Sequence, residues 1–265
     1  MEQTMKIAVV TGASGGIGKA TSEAFLRGGY RVYGLSRSGK APDGVMGLVC
    51  DVTDEAQVRR TFQTIVDTEG RIDILVNNAG FGISGAIETT ETAQAKKQMD
   101  VNFFGCFHCC KAVLPYMRDA GGGTIINISS MAAVLSIPFQ GFYSASKSAI
   151  NALTLALANE VRPFGIRVCA LMPGDVKTGF TAAREKNTDN GTAYGETIQK
   201  SVATMEHDEQ NGMTPQQIAA AVYRLSQKKH PKPLSTTGAQ YRLFAVLQKA
   251  LPASLANRIV GKIYT

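Results

Sequence analysis

Tyr143 and Lys147, in the segment "YSASK", stand four residues apart. Residues at that spacing on a helix share a face, so a phenol and an ammonium group act there on the same small volume. A free tyrosine ionises near pH ~10 and is almost never a phenolate at neutral pH. A neighbouring cation favours the phenolate, and lowering the pKa by about two to three units takes roughly 3–4 kcal/mol of differential stabilisation. The pair is therefore expected to carry Tyr143 at a depressed pKa, as an acid toward a carbonyl oxygen and a base toward an alcohol. Ser130, in "NISSMAA", lies thirteen residues upstream.

A second constellation binds rather than reacts. In "VVTGASGGIGKA", Gly12, Gly16 and Gly18 follow an apolar strand and open a helix. This context lets backbone approach a pyrophosphate while the helix N-terminus presents unpaired N–H groups. Eighteen residues beyond Gly18, Ser36 occupies the place of the acid that holds a ribose diol, and Arg37 follows. A guanidinium suits a 2′-phosphate, so NADP(H) is expected in preference to NAD(H). Asp43, the nearby acid, lies in a loop after a proline. Asp51 in "CDVT" is placed to accept from an adenine amino group, and "VNNAG", Val76 to Gly80, ends a further strand at the same sheet edge.

Apolar runs Lys6–Val10, Arg31–Leu35, Gly44–Cys50, Ile72–Val76, Thr124–Ile128 and Ile166–Leu171 read as buried strands. Between and after them helices are expected near Ile17–Arg27, Glu55–Glu69, Ala93–Met117, Ser144–Val161 and Pro215–Gln227, the second entered through the Thr53–Asp54 step. The alternation predicts an α/β fold: a Rossmann-type doubly wound parallel sheet in three layers, α/β/α. One domain spanning residues 1–265 is expected, with a substrate lid over 178–212 and a helical tail over 231–265. Leu243, Phe244, Val246, Leu247, Ala250 and Leu251 mark an apolar face on that tail. Docking on the body or on a second subunit is expected for it, ahead of contact with a membrane surface.

Taken in order, T-G-x-x-x-G-x-G, N-N-A-G, Ser130 and Y-x-x-x-K resemble the motifs of the short-chain dehydrogenase/reductase family, main branch, over about Ile7 to Phe180. The resemblance implies a catalytic tetrad of Asn102, Ser130, Tyr143 and Lys147. Ser130 would polarise the substrate oxygen, Asn102 would distort its helix and hold a water leading to Lys147, and Lys147 would also donate to the ribose. It further implies cofactor contacts from Ser14, Ile17, Val52, Asn78, Ala79 and Gly80, and from "LMPGDVKTGF" through Pro173, Gly174, Val176 and Thr178. The family commonly pairs subunits through the helices of Asn102 and Lys147, which implies a homodimer or homotetramer. Gly15, where acyl-carrier-protein reductases of this branch usually have arginine, argues against that group. The tail and "FGISGAIE" are more similar to hydroxysteroid and retinol dehydrogenases.

The substrate is expected to be an apolar ketone, aldehyde or alcohol of steroid-, retinoid- or lipid-like shape, because "MAAVLSIPFQGF", Phe81 and Ile83 are apolar. Two other readings use the same motifs: a nucleotide-sugar epimerase, which usually carries a larger C-terminal domain, and an NADP-binding sensor, which has no need of the tetrad. The formal charge of +7 comes without a basic run or aromatic-basic motif, so nucleic acid is not expected as a partner. "CFHCC" lacks a second ligand pair for zinc, so no metal is expected and the five cysteines read as buried small hydrophobes. "MEQTMKIAVVTG" enters a strand pattern at once, which points to the cytoplasm.

Overall fold

The computed structural model describes residues 5–187 and 193–265. In chain order it contains β1 (Ile7–Thr11), α1 (Gly16–Arg27), β2 (Arg31–Ser36), β3 (Met46–Val49), α2 (Glu55–Glu69), β4 (Ile74–Asn77), β5 (Ile83–Ser84) and α3 (Thr92–Met99). A π-helical turn (Asp100–Phe104) leads into α4 (Gly105–Asp119), followed by β6 (Gly123–Ile128), α5 (Gly141–Glu160), β7 (Ile166–Met172), α6 (Phe180–Ala183) and β8 (Glu185–Lys186). The chain closes with α7 (Gly195–Gln210), α8 (Pro215–Ser226), β9 (Leu234–Thr236), α9 (Ala239–Ala250) and α10 (Ala253–Tyr264).

Seven strands form one parallel sheet in the order β3-β2-β1-β4-β6-β7-β9. The order reverses beside β1, which puts a crevice at the carboxyl ends of β1 and β4. Alternation along buried strands divides the core. Ile7 and Val9 of β1 face Phe62, Cys109 and Val113 on one side, whereas Ala8 and Val10 face Phe25, Ile218 and Val222 on the other. Each large side chain so buried contributes about 1.5–3 kcal/mol. All five cysteines are free and buried within these layers.

Four features depart from the sequence reading. The third strand is shorter than Gly44–Cys50 and is an exposed edge, with Val49 59% accessible. The helix expected over Ala93–Met117 is two helices joined by the π turn that holds Asn102. β9 and the two-stranded β5-β8 pair were not anticipated. The segment 178–212 carries α6, β8 and all of α7, while residues 188–192 of that expected lid lie outside the described residues.

Candidate active site

The carboxyl ends of the central strands open on one cavity of about 1440 Å³. Gly12 and Gly16 turn the chain there with φ of 67° and 51°, in the left-handed region that glycine adopts without penalty. Gly15 takes the N-cap position of α1 without a side-chain cap, and the first turn holds no acidic residue. The leading N–H groups of α1 are thus left for an anion; in α2, by contrast, Asp54 accepts from the Gln57 N–H. A Cβ added to Gly15 would meet nothing within 4 Å. This open, donor-rich floor fits a pyrophosphate.

Ser14, Ile17, Ser36, Arg37, Asp51, Val52, Asn78, Ala79, Gly80, Pro173, Gly174, Val176 and Thr178 line the same cavity, as do Ser130, Tyr143 and Lys147. Two of the anticipated residues, Gly18 and Asn102, do not. A Cβ on Gly18 would lie 2.1 Å from the Gly12 carbonyl oxygen, so Gly18 serves the packing of helix on loop. Asn78 ties that loop from the side: its Nδ2 donates to the Thr11 and Gly12 carbonyls, and the backbone N–H groups of Asn78 and Ala79 donate to Thr11 Oγ1 at 2.9 Å. On the rim, Arg37 is exposed while Ser36 is buried and donates to the Lys40 carbonyl. Asp43 is exposed and outside the lining. Asp51 accepts from the N–H and hydroxyl of Thr53.

Helix α5 starts at Gly141, so Tyr143 lies in its first turn and Lys147 one turn on. The Lys147 Nζ donates to the Ile128 carbonyl at 2.9 Å and sits 5.7 Å from the Tyr143 ring centroid. Asn102 donates to the Phe81 carbonyl and to Ser146 Oγ, both at 3.0 Å, and accepts from the Phe81 N–H. Ser146 in turn donates to the Tyr143 carbonyl. The π turn therefore braces the first turn of α5 against the β4–β5 loop at Phe81. Ser130 accepts from the Ala132 N–H at 3.1 Å and opens a short 3₁₀ turn.

In the chain by itself, burial outweighs the cation at Tyr143. Burial pushes its hydroxyl up to about 12; Ser130 opposes this, Glu209 adds to it, Arg184 opposes and Asp175 adds. Lys147 is not among the causes, because its ammonium is directed at the Ile128 carbonyl and is itself brought down to about 8 by burial. The pair is a protonated phenol beside an ammonium close to losing its proton, which is the acid form suited to protonating a carbonyl oxygen.

Several residues of this site were not singled out from sequence. Arg184, whose side chain is fully buried, pairs through Nη2 with Glu209, and Thr181 donates to the same carboxylate at 2.5 Å. Phe180 lies between this pair and Tyr143, 5.7 Å from each by ring centroid. Asp175 accepts from the Tyr241 hydroxyl at 2.6 Å, and burial raises its pKa. The Tyr241 ring lies on Gly174, where a Cβ would come within 2.1 Å of it. These contacts fasten α9 to the Pro173–Thr178 loop, and Phe244, Leu247, Leu251, Ile259 and Ile263 continue the cavity wall. Of the apolar residues expected near substrate, Phe81, Met131, Leu135 and Ile137 line the cavity, whereas Ile83 is buried in β5 outside its lining. Only the apolar face of the tail was legible; distant acids and an arginine that meet through folding leave no local pattern.

Residues 6–189 match the family model described as short chain dehydrogenase. The chain belongs to the short-chain dehydrogenase family. As such it is an oxidoreductase, and its fold is that of nicotinamide-dependent enzymes. This short-chain dehydrogenase is 43% identical over 263 residues to the 3-ketodihydrosphingosine reductase of Bacteroides thetaiotaomicron, covering 98% of each chain. It is 30% identical to the NADPH-dependent 3-dehydrocapnine reductase of Ornithobacterium rhinotracheale, with 97% of each covered. Among solved structures, a short-chain dehydrogenase from Streptomyces avermitilis superposes with a TM-score of 0.85 at 31% identity over 94% of both chains.

Proposed function

We propose that this short-chain dehydrogenase reduces the ketone of a long-chain amino ketone of the 3-ketodihydrosphingosine type, using NADPH. One observation carries the reading: carboxylates line the cavity at Asp175 and Asp208, apart from the Glu209 that Arg184 neutralises, and apolar side chains wall it where α9 and α10 lie. A molecule with an ammonium group near its carbonyl and a hydrocarbon tail matches both ends. The extent of the likeness to the Bacteroides reductase supports the same substrate class, and of the steroid, retinoid and lipid shapes the lipid is preferred for that reason.

The open N-terminus of α1 and the rim residue Arg37 would hold the dinucleotide, Arg37 meeting a 2′-phosphate. A bound dinucleotide supplies the hydride. Tyr143, kept protonated by burial, gives its proton to the substrate oxygen as the carbonyl carbon is reduced, and Ser130 donates to that oxygen to fix it beside the phenol. Lys147 replenishes the proton from its ammonium, and Asn102 holds the first turn of α5 in register. The segment 178–212 acts as lid over the substrate. Exposed Phe104, Leu155 and Phe164 near α4 and α5 suit the subunit pairing that the family resemblance implies, and the cytoplasm is the expected compartment.

Steady-state NADPH consumption with 3-ketodihydrosphingosine and with a steroid ketone tests the reading. The amino ketone is expected to have at least a tenfold higher kcat/KM, and Arg37→Asp is expected to weaken NADPH far more than NADH. A preference for the steroid, or equal loss of both cofactors, would overturn the substrate or the cofactor assignment respectively.

A further inference from the structure

The tail is fastened to the body at a few points and leaves a row of large apolar side chains exposed. Toward the body, Tyr241 is locked to Asp175, Val260 is buried, and Lys200 donates to the terminal Thr265 carbonyl. Leu243, Val246 and Leu247 on α9 and Leu255, Ile259 and Ile263 on α10 are nevertheless 42–64% accessible. Leu255, Ile259 and Ile263 recur every fourth residue and form one stripe. Arg258 and Lys262 recur at the same interval one position earlier and flank it, both exposed, as is Arg242 beside Leu243. Leu247, Ile259 and Ile263 also line the cavity, so its apolar wall continues outward between the two helices.

Charge separates the possible occupants of this face. After Glu209 the chain contains no Asp or Glu, while eight of its Lys and Arg residues lie there, so this last segment carries +8 and the rest of the chain −1. A second copy placed tail to tail would set cation against cation with no Asp or Glu of the segment between them. An apolar stripe edged by cations instead complements an anionic lipid surface, where apolar side chains enter the acyl boundary and cations meet the headgroups.

We propose that the outer faces of α9 and α10 dock on a bilayer bearing anionic phospholipids, and that the substrate enters the cavity between these helices directly from the lipid. The docking stands on the tail alone; the entry route rests on the lipid substrate proposed above.

Sedimentation of the full-length protein with vesicles, in the absence of substrate, tests it. Vesicles containing phosphatidylglycerol are expected to retain the protein about tenfold more than pure phosphatidylcholine at low ionic strength, and salt is expected to release it. The double variant Leu243→Glu/Val246→Glu, which alters neither the cavity lining nor any contact of Tyr241, is expected to lose retention while binding NADPH and turning over a detergent-dispersed ketone like the parent. Arg258→Glu/Lys262→Glu, a surface change that leaves the apolar stripe intact, is expected to lose the preference for anionic vesicles. Absence of retention on anionic vesicles overturns the proposal, as does a dimer in sedimentation equilibrium that the Leu243→Glu/Val246→Glu variant dissociates while vesicle binding is unaffected. Retention on vesicles without reduction of any amino ketone would refute the substrate assignment and leave the docking in place.

Discussion

Tyr143 and Lys147 show how burial and charge compete over one pair. A free phenol beside a free ammonium would be acidified, yet here the cation is aimed at a carbonyl and desolvation prevails. Because burial raises the Tyr143 pKa to about 12, its neutral form is stabilised relative to the unfolded chain, and that stability is lost as pH rises from about 10 to about 12. Titration of phenolate absorbance is accordingly expected to coincide for the parent and Tyr143→Phe up to pH ~10; an additional phenolate in the parent near pH 8 would contradict the burial argument. Lys147 behaves in the opposite sense. Its pKa is lowered to about 8, so its contribution to stability is present above about 10.5 and lost as pH falls to about 8. Lys147→Met is thus expected to stabilise the fold at pH 7 by about 1–3 kcal/mol in urea melts while abolishing turnover. Destabilisation would mean that the bond to the Ile128 carbonyl outweighs the buried charge.

At the scale of elements, the site depends on junctions. Gly18→Ala would drive a Cβ against the Gly12 carbonyl, so the glycine loop must shift and NADPH affinity is expected to fall at least about tenfold, with Tm lowered; unchanged affinity would remove Gly18 from the account. Arg184 and Glu209 form a largely buried pair, and truncating one partner strands the other. Glu209→Ala is expected to cost about 3–5 kcal/mol by denaturant unfolding, and a cost below about 1 kcal/mol would show the pair to be solvated. The same junctions explain what the sequence reveals. Strands such as Ile7–Thr11 announce themselves because every residue is buried. The π turn does not, since one extra residue in a turn leaves the apolar spacing of Val101 to Cys110 looking like continuous helix. β9 has three half-buried residues, too few for a pattern, and β3 is an edge whose exposed Val49 carries no signal of burial.

For the molecule as a whole, motifs near the sheet's carboxyl edge are readable because short segments of backbone form them, whereas the far wall of the cavity is assembled from α6, α7 and the tail. Those parts meet only through Tyr241, Arg184 and other long-range contacts. Among the described residues no helix is long and apolar enough to cross a membrane. The central claim is that Tyr143 delivers a proton while the carbonyl carbon accepts hydride, and transfer of deuterium from C4-labelled NADPH to 3-ketodihydrosphingosine tests it most directly. The account predicts that the parent yields carbinol bearing the label, and that Tyr143→Phe, with unchanged NADPH affinity, forms labelled product about 10²–10⁴-fold more slowly. Labelled product from Tyr143→Phe at the parent rate would contradict it.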